Sequence, residues 1–157
     1  MASTGRSVSG SQPKRDKDPQ KRKVYKLEGQ FLMFNRGGTK LGDLRDCIRL
    51  ACAMYDVPYP GVRSHKGGEW SYSDGVSISF NKAQMNYAVA LHEAAHHIVD
   101  WLWDEEEGIE GHGREFQGVY QWLLVLCGIA PVAALQAAWE AQGLKWKPIP
   151  PRETPDP

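Results

Sequence analysis

The sequence has 157 residues, 41% apolar and 24% charged, which is enough to fill the core of one modest domain. This composition excludes a wholly disordered chain, a collagen-like repeat and a small disulfide-dense protein. The 19 basic residues balance the 19 acidic residues, but the charges are distributed unevenly along the chain. Residues 1–23 contain seven basic and two acidic residues, a net charge of +5, so the remainder carries −5.

The first 23 residues are predicted to form a flexible basic tail. Beyond Met and Ala they hold one aliphatic residue, Val8, too little apolar surface to offset the entropy cost of ordering. They also lack the apolar stretch of about 7–15 residues that a secretory signal requires. The long apolar run over residues 122–135 is shorter than the roughly 20 residues that cross a bilayer. The sequence therefore predicts a cytoplasmic protein with no membrane contact.

Apolar spacing predicts the elements that follow this tail. Residues 24–34 are expected to form a short strand or a lead-in segment. A helical apolar stripe predicts a helix over residues 41–55, with Thr39 as its candidate cap. Residues 70–80 alternate in polarity around Asp74-Gly75, which is typical of a β-hairpin.

The register of this hairpin depends on the length of its loop. A loop of two residues would place Tyr72 opposite Ser77, on the polar face. A loop of three residues (73–75) instead places all of the apolar side chains of the hairpin on one face, and we prefer it. These side chains are Trp70, Tyr72, Val76, Ile78 and Phe80.

The second half of the chain is predicted to be helical. The expected helices span residues 81–103, 112–127 and 131–143. The apolar residues at helical spacing along the first of them are predicted to form its core stripe, and they are Ala88, Leu91, Ala95, Ile98 and Leu102. Asn81, with Gln84 three residues later, resembles a capping box at the start of the first of them. Residues 24–147 are therefore expected to form one α+β domain, a short antiparallel sheet packed on a helix bundle, followed by a proline-rich tail over 148–157.

The helix over residues 81–103 carries a motif with metal-ligand spacing. His92-Glu93-x-x-His96 matches the H-E-x-x-H zinc pattern. Residues four apart lie one turn along a helix and ~40° apart around it, so both imidazoles can bind one metal ion. Glu93 lies about 100° from His92, where its carboxylate can take a proton from a metal-bound water without binding the ion itself.

A catalytic zinc site needs a third protein ligand and leaves the fourth position open for water. His112, 16 residues after His96, is the main candidate, because a short antiparallel return would place it near the middle of the His-bearing helix. Glu110 and Glu115 are alternatives for this third ligand. The three cysteines form no C-x-x-C pair and are expected to be reduced, buried thiols rather than ligands.

Two segments carry a resemblance to a known family. They are His92-Glu93-Ala94-Ala95-His96-His97 and His112-Gly113-Arg114-Glu115-Phe116, the second followed by Val119-Tyr120. Over residues 70–126 the chain resembles minimal zincin metallopeptidases of the SprT-like kind, and small metallopeptidase-like proteins of actinobacteria and their phages. The resemblance implies a zincin-like domain with the H-E-x-x-H helix at its centre. It also implies a Zn²⁺ cofactor, the ligands His92, His96 and His112, and Glu93 as general base.

We therefore predict a zinc-dependent metallopeptidase that hydrolyses peptide or protein substrates through a zinc-bound water activated by Glu93. The strand over residues 76–80 is a candidate edge for pairing with an extended peptide. Asp100 either orients His96 or is a solvated acid at the helix end. Tyr120 is either an oxyanion donor or a core residue. The chain lacks the C-x-x-C zinc ribbon of many SprT-like proteins, so their role in DNA repair is not implied.

The alternative hypothesis is a catalytically silent zinc-binding interaction domain or virion-associated domain. Its basic N-terminal tail would make weak, salt-dependent contact with nucleic acid. Glu93 distinguishes the two hypotheses, because a peptidase needs a carboxylate beside the metal and a scaffold does not.

Overall fold

The structure is a computed structural model that describes residues 18–32, 37–68, 70–104 and 108–151. It confirms the α+β class. The helices are α1 (Lys21–Leu27), α2 (Leu41–Met54), α3 (Tyr87–Leu102), α4 (Arg114–Leu126) and α5 (Val132–Ala141). The strands are β1 (Gly61–His65), β2 (Tyr72–Ser73) and β3 (Ser77–Asn81). Within the described ranges, no helix has both the length and the apolar character needed to cross a membrane.

The sheet is mixed, whereas the sequence predicted an antiparallel one. β3 is its central strand, with β1 paired to it in parallel and β2 paired to it antiparallel. β1 was not predicted, because Val62 is its single buried side chain and its residues do not alternate in polarity. Since β3 is central, the prediction that residues 76–80 form a free edge for a peptide is wrong. The edges of the described sheet are β1 and β2.

The hairpin turn is shorter than the three-residue loop predicted for it. Tyr72 lies opposite Ser79, so two residues separate Asp74 from Ser77. The N–H of Asp74 donates to the carbonyl oxygen of Ser77 at 3.1 Å and closes the turn. Gly75 takes φ +86° there, a conformation that favours glycine.

The apolar face predicted for the hairpin is also wrong. Ile78 and Phe80 are fully buried, but Trp70 and Val76 are 66% and 79% exposed. The burial of the central strand is decided by its two neighbouring strands and by α3, so the apolar residues at the tip of the hairpin are not needed in the core.

α3 lies at the centre of the fold, in contact with α2, α4, β2 and β3. The predicted core stripe along it is buried in its first three turns. Its buried members are Ala88, Leu91, Ala95 and Ile98. This central position surrounds the middle of α3 with protein, so polar side chains there need partners within the fold.

Two helix starts differ from the predicted caps. α3 begins at Tyr87 rather than after Asn81, and the side chain of Asn86 accepts from the N–H of Val89 at 2.9 Å. Asn81 instead caps a short 3₁₀ turn, Lys82–Gln84. α2 matches its predicted span, but Lys40 is its N-cap residue and makes no side-chain hydrogen bond to the helix. Thr39 is therefore not the cap of α2.

The folded part of the chain begins earlier than residue 24. α1 starts within the predicted tail, and Val24 and Leu27 anchor it in the core. It continues into a π-helical turn, Glu28–Leu32, where the sequence predicted a strand or lead-in. Residues 1–17 of the predicted basic tail lie outside the described residues.

The predicted C-terminal tail also packs against the domain at its start. The hydroxyl of Tyr55 donates to the carbonyl oxygen of Ile149 at 2.7 Å. A Cβ on Gly118 of α4 would lie 1.9 Å from the carbonyl oxygen of Lys147, so glycine is required for this close approach. Residues 152–157 lie outside the described part of the chain.

Candidate metal centre

Three imidazoles converge between α3 and the start of α4. His92 and His96 come from successive turns of α3, and His112 comes from the segment just before α4. Their Nε2 atoms form a triangle in which each side is 3.2 Å. The structure thus brings together the predicted ligands and groups neither Glu110 nor Glu115 with them.

Carboxylates hold the outer nitrogens of two of these rings. The Nδ1 atom of His92 lies 2.5 Å from Oε1 of Glu28, and the Nδ1 atom of His112 lies 2.6 Å from Oδ2 of Asp18. The same Glu28 oxygen accepts from the hydroxyl of Tyr120 at 2.8 Å. A carboxylate accepts, so each Nδ1 donates and the corresponding Nε2 carries a lone pair. Lone pairs facing one another at 3.2 Å repel unless a cation lies among them.

The protonation of the imidazoles suits metal binding. Burial, followed by the neighbouring imidazoles, lowers the pKa of both His92 and His96 well below the usual value. Neutral imidazole is the form that binds a metal. The group of three histidines could therefore hold a metal ion.

The sequence contained no signal for Glu28 and Asp18 as partners of these rings. They lie 64 and 94 residues from the histidines that they hold. One belongs to the predicted lead-in segment and the other to the predicted tail. Gly111 makes room for the second carboxylate, because a Cβ there would lie 3.1 Å from Oδ2 of Asp18.

The backbone of His112 is held as firmly as its ring. Its N–H donates to Asp18 at 3.2 Å, and its carbonyl oxygen accepts from the amides of Gln20 and Gln117, each at 3.0 Å. The side chain of Gln117 in turn accepts from the indole N–H of Trp139 on α5 at 2.8 Å. His112 lies outside the helices, and these contacts fix it to the N-terminal segment, α4 and α5.

Phe116, the aromatic residue of the His-Gly-x-x-Phe element, packs on the whole group of histidines. Its ring centroid lies 5.0, 4.4 and 4.8 Å from those of His92, His96 and His112. The ring is fully buried, so it closes one side of the centre to water.

Glu93 lies next to the ligands but is not grouped with them. It is buried, and this burial, followed by the negative charge of Glu28, raises its pKa to about 8. A hydrogen bond from the backbone N–H of Ser73 on β2 opposes that shift. The carboxyl group thus lies against an edge strand, on the residue that follows His92 along α3.

Three other polar residues of this region form their hydrogen bonds or electrostatic contacts with residues other than His92, His96 and His112. Tyr120 is fully buried and donates to Glu28, so it is a core residue rather than an oxyanion donor. Asp100 interacts electrostatically with His97, not with His96 as one prediction had it. His97 donates from Nε2 to the carbonyl oxygen of Pro58 at 2.8 Å, away from the ligand group.

Tyr25 of α1 is a site residue that the sequence did not reveal, because it follows directly on the predicted tail. Its ring lies 6.0 Å from that of His92 at an interplanar angle of 12°, and 5.5 Å from that of His112. Its side chain is nevertheless 42% exposed. It therefore lies between the imidazoles and solvent.

Comparison of the chain with models of protein families, with curated proteins and with solved structures finds no match. The function is therefore inferred from the chemistry of the centre itself.

Proposed function

We propose that this chain is a zinc-dependent metallopeptidase with His92, His96 and His112 as ligands and Glu93 as general base. The observation that carries the proposal is the triangle of Nε2 atoms. The carboxyl group of Glu93, the residue after His92, is not a member of this group of ligands. Zinc–nitrogen distances of ~2.0–2.1 Å at tetrahedral angles separate two ligand nitrogens by about 3.3 Å. The observed separation is 3.2 Å, so the residues fit zinc.

The number of ligands favours catalysis over a structural role. Structural zinc sites have four protein ligands, whereas catalytic sites have three and keep one position for water or substrate. The described residues supply three. Of these, His96 is partly buried and the other two are buried. The centre is therefore open to solvent on the side of His96.

When bound, zinc supplies a Lewis acid that polarises a peptide carbonyl and makes water more acidic. Glu93 would take the proton of the attacking water and pass it to the amine as the new C–O bond forms and the C–N bond breaks. Glu28 and Asp18 would hold the imidazole rings in one orientation and make their Nε2 atoms better electron donors.

A peptide is the substrate class that the surroundings favour. β2 is an edge strand of the described sheet, and it contacts both Glu93 and α3. The N–H of Ser73 on this strand donates to Glu93, so an extended peptide would pair with the remaining outward-facing backbone groups of the strand. The resemblance of the two histidine segments to minimal zincin metallopeptidases supports the same reaction.

Metal analysis and a cleavage assay test this proposal with three variants. Wild-type protein should contain about one zinc per chain and cleave members of a peptide library. His112→Ala should lower the zinc content and abolish cleavage. Glu93→Gln should keep the zinc and lose cleavage, whereas Glu140→Gln, the same change on the exposed surface of α5, should leave both unchanged.

The possible outcomes separate the two hypotheses. Full zinc occupancy in His112→Ala would remove that residue from the ligand set. Zinc binding by wild type without cleavage of any library member would reject the peptidase and favour a zinc-binding interaction domain.

A further inference from the structure

We infer that the hydroxyl of Tyr25 is a catalytic hydrogen-bond donor to the substrate carbonyl oxygen, on which negative charge develops during peptide hydrolysis. The inference rests on the proposed peptidase function. From the sequence, Tyr120 was the candidate for this role. The structure instead buries Tyr120 in the core, where its hydroxyl donates to Glu28.

The position of Tyr25 follows from how α1 is anchored. Val24 and Leu27 are buried in the core, and Glu28 is held by the Nδ1 atom of His92. Residues three apart lie on the same side of a helix, so Tyr25 faces the metal centre together with Glu28. The ring contacts with His92 and His112 are the result.

Tyr25 is more exposed than Glu93 and the three histidines, of which His96 is partly buried. His92, Glu93 and His112 are at most 5% exposed, whereas Tyr25 is 42% exposed. A side chain that contacts two of the candidate ligands and also reaches solvent can touch a substrate bound at the centre. The other tyrosine of the centre, Tyr120, has no such access.

The chemistry of the side chain suits this role. A tyrosine hydroxyl can donate a hydrogen bond. The ring of Tyr25 packs on His92 and His112. Its hydroxyl can therefore donate to an oxygen atom of a substrate bound beside these rings.

The substitution Tyr25→Phe tests this role because it keeps the ring and removes only the hydroxyl. Removing one donor to a developing oxyanion lowers kcat by about 10²–10³-fold in other hydrolases. We expect a loss of this size in kcat, a KM within about twofold of wild type, and an unchanged zinc content. Tyr59→Phe is the matched control, since Tyr59 is 37% exposed and Arg49 lies over its ring, which is not in contact with His92 or His112.

A second measurement uses a phosphonate peptide, which mimics the tetrahedral transition state. Its binding to zinc-loaded Tyr25→Phe should weaken by about the same factor as kcat, while the binding of an uncleaved product peptide should not change. If the phosphonate and the product peptide lose affinity by the same factor, the inference is overturned, because Tyr25 would then have a binding or structural role.

The outcomes also separate this inference from the proposed function. If wild type cleaves peptides, Glu93→Gln does not, and Tyr25→Phe is as active as wild type, the peptidase stands and only the role of Tyr25 is rejected. If wild type cleaves nothing, both are rejected together.

Discussion

Two of the regions that build the candidate metal centre, α3 and the segment of residues 18–28, specify it in different ways. α3 supplies His92, Glu93 and His96, whose relative positions follow from the geometry of one helix. The N-terminal segment supplies Asp18 and Glu28, which reach their histidines only because the whole domain has folded. A local pattern can thus reveal candidate ligands of a metal, whereas the groups that orient them depend on tertiary structure.

The largest expected effect comes from the more buried of the two carboxylates. Glu28→Gln should weaken zinc binding by about 100-fold, because a ring partner of this kind is worth 10–100-fold in metal affinity and Glu28 is fully buried. The amide keeps an acceptor but loses the charge shared by His92 and Tyr120. Competition for zinc with a chromophoric chelator measures the change.

The control for this measurement is Glu140→Gln on the exposed surface of α5. Wild-type affinity in Glu28→Gln would show that the N-terminal segment does not support the metal centre, and the contrast between the two regions would fail.

A smaller effect is expected at the more accessible carboxylate. Asp18→Asn should weaken zinc binding by about tenfold, because the side chain of Asp18 is 19% exposed and water can partly replace it on His112. The same chelator competition applies. A larger loss for Asp18→Asn than for Glu28→Gln would reverse the ranking based on burial.

The smallest effect concerns the start of α3. Asn86→Ala should lower the free energy of unfolding by about 1 kcal/mol, because it removes the side-chain cap on the N–H of Val89. Thr39→Ala, at the position that the sequence favoured as a cap for α2, should change it by less than about 0.5 kcal/mol. Urea denaturation of both variants measures the difference. A loss at Thr39 equal to that at Asn86 would contradict the observed helix starts.

The sequence predicted best where a pattern repeats over several turns of a helix. α2 and the core stripe of α3 are confirmed, since both depend on apolar residues at helical spacing. The register of the hairpin could not be predicted in the same way. Its central strand is buried by β1, a strand whose residues show no alternation.

The same limit applies to the ends of the domain. Composition assigned residues 18–23 to a solvated tail, because polar and basic residues rarely drive folding. α1 instead packs through Val24 and Leu27, and the preceding polar residues bond to the backbone and ring of His112. Polar residues can be ordered in a folded domain when they form hydrogen bonds with buried polar groups.

By itself the sequence determined the grouping of His92 and His96 on one helix face, with Glu93 beside them, because helical geometry relates residues four and one apart without any tertiary contact. It also pointed to His112 as the third member, and the fold brings it there. Only the tertiary structure decided that Asp18, Glu28 and Tyr25 surround this group. These residues are distant in sequence from the histidines, and buried nitrogens and oxygens find their partners through packing of the whole chain.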